Sequence, residues 1–305
     1  MNIFVTGGAG FIGSALTSSL IKNSNNVTIY DSLVNSSETH AKKLQELGAD
    51  FVHGDITNSE HLSNSLKDFD ICVHLAAQID VTNSIKDPEH TRQVNVYGTK
   101  NMLNACQKNN VDVITASTAA VYHDSNQVLY EDSPLKPRSP YGESKLSMEK
   151  MINSPEIIPS DINCINLRMF NVYGKGQNIT YAGVITRFLE DIKNDNDITI
   201  FGDGEATRDF ISVNDVVDCI ILSMKKIKGK HGQSFNVASG TSTKIKDLAR
   251  LMISISKKDN ITINHAPTRS GDIVYSKANI LLAKESFDWS PQITLKEGLE
   301  QLINS

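Results

Sequence analysis

The chain of 305 residues carries 30 Lys+Arg against 35 Asp+Glu, a formal net charge of -5. This mildly acidic balance argues against a general binder of nucleic acid or of an anionic membrane, either of which needs a basic surface. Chains of this size bury about three quarters of their unfolded surface, and 39% apolar with 21% charged residues is the composition of a soluble globular protein of one large or two medium domains. Short β-branched runs alternate with amphipathic segments through the first half. Segments 2–6, 27–31, 50–53, 71–75 and 111–116 read as strands, and segments near 11–22, 38–47, 59–67 and 90–109 read as helices. Buried parallel strands with right-handed helical crossovers are the expected packing, so the fold class is α/β, a doubly wound, Rossmann-like parallel sheet.

A Pro-rich stretch at 133–141 leads into a helix from about 141 to 153, followed by a strand at 163–169. Beyond Phe170 the pattern loosens into loops around a helix near 182–194, a strand near 198–201 and a helix at about 214–226, while 235–238 reads as one more strand of the main sheet. The expected division is a dinucleotide-binding domain of residues 1–169 plus about 205–239, and a smaller discontinuous α/β lobe of about 170–204 plus 240–305. No run reaches the roughly 18 apolar residues of a membrane span; the best, 213–224, is broken by Asn214, Asp215 and Asp218. A signal peptide is not expected, because the N-terminus lacks a basic region and Gly7, Gly8 and Gly10 interrupt its apolar stretch. Cys72, Cys106, Cys164 and Cys219 lie far apart with no CxxC, which predicts reduced core thiols and a cytoplasmic setting. The histidines show no ligand spacing, so no metal is expected.

Thr6-Gly7-Gly8-Ala9-Gly10-Phe11-Ile12-Gly13 follows the first strand and opens a helix. Gly7 suits a tight turn, Gly10 a close approach to a pyrophosphate and Gly13 close helix packing, while the N–H groups at the helix start, around Phe11 and Ile12, suit phosphate. Asp31 ends the second strand, where its carboxylate can accept hydrogen bonds from an adenosine ribose. A 2'-phosphate about 4 Å from that carboxylate would be repelled by several kcal/mol at an effective dielectric near 20, so NAD is favoured over NADP. Asp55 and Ile56 after the third strand fit near the adenine, although Asp55 reads equally as a turn residue. Leu75, Ala76 and Ala77 after the fourth supply small side chains where the backbone would pass the cofactor.

Tyr141 and Lys145, spaced i,i+4, share one face of a helix. A tyrosine is a poor base at its free pKa of about 10, and bringing it near 7 takes about 4 kcal/mol of preferential phenolate stabilisation. Lys145 and a positive nicotinamide ring can supply it. Upstream, Ser117-Thr118-Ala119-Ala120-Val121-Tyr122 ends the fifth strand.

With these motifs the chain resembles the extended short-chain dehydrogenase/reductases, and within them the NAD-dependent nucleotide-sugar epimerase/dehydratase family, especially UDP-glucose (UDP-galactose) 4-epimerases. The segments Leu167-Arg168-Met169-Phe170-Asn171-Val172-Tyr173-Gly174, Phe201-Gly202-Asp203-Gly204, Thr207-Arg208-Asp209-Phe210 and Ala266-Pro267-Thr268-Arg269-Ser270-Gly271-Asp272 continue the likeness over the whole chain. The resemblance implies that Thr118 holds the sugar O4, Tyr141 removes its proton, and hydride passes from C4 to bound NAD and back. It implies a cofactor-side or structural role for Asn95. It also implies substrate contacts for Asn171, Phe201, Arg208, Arg269 and Asp272, the arginines suiting a diphosphate through their planar fork of donors. Ser276 matches a position beside the sugar 2-substituent, where a small residue leaves room for an N-acetyl group, so UDP-GlcNAc/UDP-GalNAc is expected beside UDP-glucose/UDP-galactose. A homodimer pairing the helix near 90–109 and the Tyr141 helix is implied too.

Alternatives remain open at this point. Ala119 and Ala120 stand where related dehydratases and decarboxylases resemble one another in carrying acidic residues, which disfavours those reactions. A UDP-glucuronate 4-epimerase, another nucleotide-sugar oxidoreductase, or a non-catalytic dinucleotide sensor are the competing readings; sensors typically lose the Tyr or Lys that this chain keeps.

Overall fold

A computed structural model describes residues 1–157, 162–177, 183–268 and 274–304. The chain opens with β1 (Asn2–Thr6), α1 (Phe11–Lys22), β2 (Asn26–Asp31), α2 (Glu38–Glu46), β3 (Asp50–His53), α3 (Ser59–Ser65) and β4 (Ile71–His74). Two short helices, α4 (Val81–Lys86) and α5 (Pro88–Arg92), a π-helical turn (Gln93–Gly98) and α6 (Thr99–Asn109) lead to β5 (Asp112–Thr118). A 3-10 turn (Ala119–Val121), α7 (Pro140–Ile152), β6 (Cys164–Met169), β7 (Asn171–Tyr173), α8 (Val184–Lys193), β8 (Ile198–Phe201) and β9 (Thr207–Ser212) follow. The last elements are α9 (Val213–Lys225), β10 (Ser234–Val237), β11 (Ser242–Lys244), α10 (Ile245–Ser256), β12 (Ile263–Ala266), α11 (Leu281–Phe287) and α12 (Leu295–Ile303).

Seven parallel strands form the main sheet in the order β10-β6-β5-β4-β1-β2-β3. The period of two divides its core. Ile3, Val5, Val27 and Ile29 pack on one face with Leu16, Val216, Ile220 and Trp289, whereas Phe4 and Tyr30 face Leu62, Met102, Leu103 and Val113 on the other. Both faces are covered, as an all-parallel sheet requires. The expected strand at the end of the fold is present as β10, beside β6. The chain direction of strand order reverses between β1 and β4, the switch point at which open α/β sheets leave a crevice for ligands.

The helix expected near 90–109 is present as α5, the π-helical turn and α6 in one unbroken run from Pro88, its middle turn wound wider. The stretch after Phe170 is less irregular than its pattern suggests. β7, β9 and β11 make a second sheet in the order β11-β9-β7; β7 and β11 have three residues each, too few for a period to register, and β9 opens on the polar run Thr207-Arg208-Asp209. A third cluster, including Ile185, Phe188, Ile200, Leu248, Met252 and Leu299, packs α8, β8, α10 and α12 together. All four cysteines are buried free thiols. No helix among the described residues is long and apolar enough to cross a membrane.

Candidate active site

A cavity of ≈ 660 Å³ opens at the switch point, within the range of sites that enclose organic ligands. Its wall brings together Gly7, Gly10, Phe11, Ile12, Gly13, Asp31, Asp55, Ile56, Leu75, Ala76, Ala77, Thr118, Tyr141 and Lys145. The glycine loop is shaped by contact rather than by flexibility. Gly7 has φ +68°, and a Cβ there would lie 2.7 Å from the Ala76 nitrogen; at Gly13 a Cβ would lie 2.2 Å from the Gly7 oxygen. α1 starts at Gly10 with no side-chain cap and no acidic residue in its first turn. Its leading N–H groups and dipole are therefore left for an anion. The Asp31 carboxylate is held by the Ala9 and Leu33 N–H groups at 3.0 and 2.8 Å and by the Ser36 hydroxyl. Gln78, also on the wall, keeps its buried Oε1 without a partner among the described residues. A phosphate cradle, a ribose-reading carboxylate and an unused acceptor fit a dinucleotide.

The reactive side is built by α7 against the end of β5. Ser139 caps the helix by accepting from the Gly142 N–H, and Pro140 fits its first turn. Tyr141 and Lys145 follow on one face. The Lys145 Nζ donates to the Ala116 oxygen at 2.8 Å, and the Thr118 hydroxyl, which accepts from the Ala120 N–H, lies on the same wall as the Tyr141 phenol. A close approach makes this possible, since a Cβ on Gly142 would lie 2.6 Å from the Ala120 oxygen. Gly142→Ala must therefore lift α7 from the Thr118 turn, and we expect kcat to fall about 100-fold with KM much less affected, measured by steady-state turnover.

Burial pushes the Tyr141 phenol up while Thr118 pulls it down. Burial lowers Lys145 to about 8, opposed by the Glu149 carboxylate. The protein alone thus leaves the phenol high, and a cationic nicotinamide must contribute to its ionisation. Behind the wall, the Thr99 hydroxyl donates to the Asn95 oxygen at 2.6 Å and so accepts from His74 Nε2. His74 Nδ1 then accepts from Thr6, which fixes the neutral tautomer. Burial, with Lys145 nearby, lowers His74 from 6.5 to about 3. Between those values the unfolded chain binds the extra proton, so this contribution to stability is complete above pH 6.5 and is lost as pH falls towards 3. In His74→Asn the urea midpoint should fall less steeply with acid across that window.

Other expected residues stand off the cavity wall. Asn95 is buried in the π-helical turn, pairing both backbone groups of Gln78 and donating to Ser144, whose hydroxyl donates to the Tyr141 backbone oxygen. Asn171 opens β7, immediately after the wall residue Phe170, and donates to the Asp209 oxygen at 3.1 Å. Arg208 is half-buried on β9, Phe201 is exposed at the end of β8, and Ser276 is buried with its N–H on Thr207. Arg269 and Asp272 lie outside the described residues. Asp209 ties this region together, its carboxylate accepting from the Ser239 N–H and hydroxyl, the Gly240 N–H and the Ala278 N–H. Sequence reasoning missed Gln78, His74 and the buried group of Ser117, Glu149 and Arg168. For Glu149 a signal existed: it lies one further i,i+4 step along the Tyr141–Lys145 face.

A parallel sheet with a glycine-loop cavity and a Tyr/Lys pair facing a Ser/Thr strand end defines a dinucleotide-dependent oxidoreductase-type enzyme of the short-chain dehydrogenase/reductase class. The NAD dependent epimerase/dehydratase family matches residues 3–238. The chain belongs to that family, and its cofactor is NAD. The UDP-glucose 4-epimerase of Mycolicibacterium smegmatis is 33% identical over 99% of this chain and 97% of its own. Among solved structures, the UDP-glucose 4-epimerase of Thermotoga maritima with UDP-glucose superposes with TM-score 0.92 at 32% identity, covering 100% of this chain and 98% of that one. The UDP-N-acetylglucosamine 4-epimerase of Methanobrevibacter ruminantium, in complex with UDP-N-acetylmuramic acid, does so with TM-score 0.92 at 33% identity, covering 99% and 97%.

Proposed function

We propose that the chain is a nucleotide-sugar 4-epimerase that interconverts UDP-glucose and UDP-galactose, with UDP-GlcNAc and UDP-GalNAc as a second pair. The observation that carries this reading is the seating of Tyr141, Lys145 and Thr118 on the wall of the dinucleotide cavity, with the inert Ala119 and Ala120 next to Thr118. NAD, when bound, would supply a reversible hydride acceptor for the sugar C4. Gly7, Gly10, Gly13 and the start of α1 hold its phosphates, and Asp31 its adenosine ribose. Thr118 orients O4, and the Tyr141 oxygen takes and returns the O4 proton. Lys145, anchored on Ala116, keeps positive charge beside that phenol. Asn95 holds the Gln78 segment and α7 in register. Asn171, Phe201, Arg269 and Asp272, in the lobe of about 170–204 plus 240–305, bind the sugar nucleotide together with Arg208 of the segment 205–239.

Incubation with UDP-galactose and chromatographic detection of UDP-glucose tests the reading, and a protein that binds NAD without turnover would make it a sensor. For the N-acetylated pair, Ser276→Tyr should suppress UDP-GlcNAc conversion at least tenfold more than UDP-glucose conversion. An unchanged substrate ratio in a variant of normal melting temperature removes that part. The same reading places the protein in the cytoplasm, where its four thiols stay reduced. It also makes the protein a homodimer through α7 and the neighbouring groove of Pro88, Arg92, Val96 and Ser147.

A further inference from the structure

Three consecutive residues at the end of β5 receive three residues of one stripe on α7. The Ala116 oxygen accepts from Lys145, the Ser117 hydroxyl donates to Glu149 Oε1 at 2.5 Å, and the Thr118 hydroxyl meets Tyr141. The first and third contacts serve the reaction described above, and Glu149 extends the same stripe by one i,i+4 step. Its carboxylate is buried and held on its far side by Arg168, with Nε at 3.0 Å and Nη2 at 2.7 Å. Arg168 is fixed in turn, its Nη1 donating to the Tyr122 hydroxyl at 2.9 Å and the Glu131 backbone oxygen at 2.7 Å. A carboxylate so thoroughly located inside a protein is costly to keep, and its residue stands one helical turn after the buried Lys145, the two side chains bonding the consecutive β5 residues Ser117 and Ala116.

We propose that Glu149 is a positioning residue for the reaction: clamped between Ser117 and Arg168, its carboxylate keeps Lys145 charged and seated on Ala116 beside the Tyr141 phenol. The other groups around Lys145 do not do this. His74, from β4, is neutral. From β6, Arg168 lies behind Glu149, with Tyr122 and Glu131 beyond it. On the packed helices, Asp80 and Asp87 cap helix starts, and Lys86, Glu89, Arg92 and Lys100 are exposed to water. Glu149 is the carboxylate whose field favours the lysine cation against its burial.

This assignment rests on the epimerase reading for its consequence but can be measured without turnover. Glu149→Gln preserves size and an acceptor for Ser117 while removing the charge. The Lys145 13Cε titration, assigned by difference from Lys145→Met, should have its midpoint about one unit lower in the variant. The alkaline limb of the kcat profile should move the same way with KM nearly unchanged, and Glu149→Asp should bring both back towards wild type. A purely structural role would scale the rate at every pH and leave both midpoints in place, which would overturn the proposal. If Glu149→Gln does not fold, the double variant Glu149→Gln/Arg168→Met is compared with Arg168→Met, both lacking the Arg168 cation, and its Lys145 midpoint must be the lower of the two; equal midpoints there overturn the proposal. A displaced Lys145 midpoint in a protein whose wild type never converts UDP-galactose would sink the epimerase reading and leave the Glu149 assignment standing.

Discussion

Tyr141→Phe should lower kcat by about 10²–10⁴-fold, the usual worth of a positioned proton-transfer group, with the fold and cofactor content retained. The substitution removes one oxygen and leaves the ring that packs at the start of α7. What is lost is, among the described residues, the phenol on the wall that stands with Thr118 and the buried ammonium of Lys145. KM should change little, because the residues proposed to hold the nucleotide diphosphate are untouched. Steady-state conversion of UDP-galactose, compared at equal bound NAD, checks this; retention of wild-type kcat would remove Tyr141 as the base. The protein without its cofactor leaves the phenol raised by burial. The pH dependence of the wild-type rate should therefore report the loaded site, with phenol and ammonium titrating as a pair.

Arg168→Met should destabilise the fold by about 3–5 kcal/mol, because it strands the Glu149 carboxylate in the interior. Side-chain exposure in this pair is 5% on both partners, against 60% and 73% for the surface pair Arg92–Glu89. Breaking the latter should change stability by less than about 0.5 kcal/mol. The comparison is made by urea denaturation, reading midpoints at constant slope. Adding Glu149→Gln to Arg168→Met should recover most of the loss, since the uncompensated charge disappears with its partner. A loss no larger than the surface pair's would show that water reaches Glu149.

The parts of the molecule legible in sequence are those written in short stretches of chain. The alternation of β1 to β5 with helices is a local period, and the glycine loop places its turn, its phosphate donors and its helix start within a few residues. Tyr141 and Lys145 share a helix face by spacing alone. Glu149 could have been added by the same spacing, but its meaning depends on Ser117 and Arg168, which reach it from two different strands and leave no local mark. The wider turn at Gln93–Gly98 leaves no local mark for a related reason: its residues suit a regular helix, and Asn95 bonding to Gln78 and Ser144 shows what the wider turn accommodates. β7 and β11, of three residues each, are too short to show alternation, and β9 is masked by the polar run Thr207-Arg208-Asp209 at its start. Their pairing is established by register, Asn171 opposite Phe210 and Arg208 opposite Thr243.

The Asp209 carboxylate gathers the Ser239–Gly240 turn and the bridge residue Ala278 onto β9, next to Arg208, while the Asp209 backbone oxygen accepts from Asn171. Every one of the hydrogen bonds the carboxylate accepts but one comes from a main-chain N–H, so the knot does not depend on which side chains those segments display. Substitutions at the other side chains of those segments would therefore leave their attachment to β9 in place, whereas Asp209→Ala would free both segments at once.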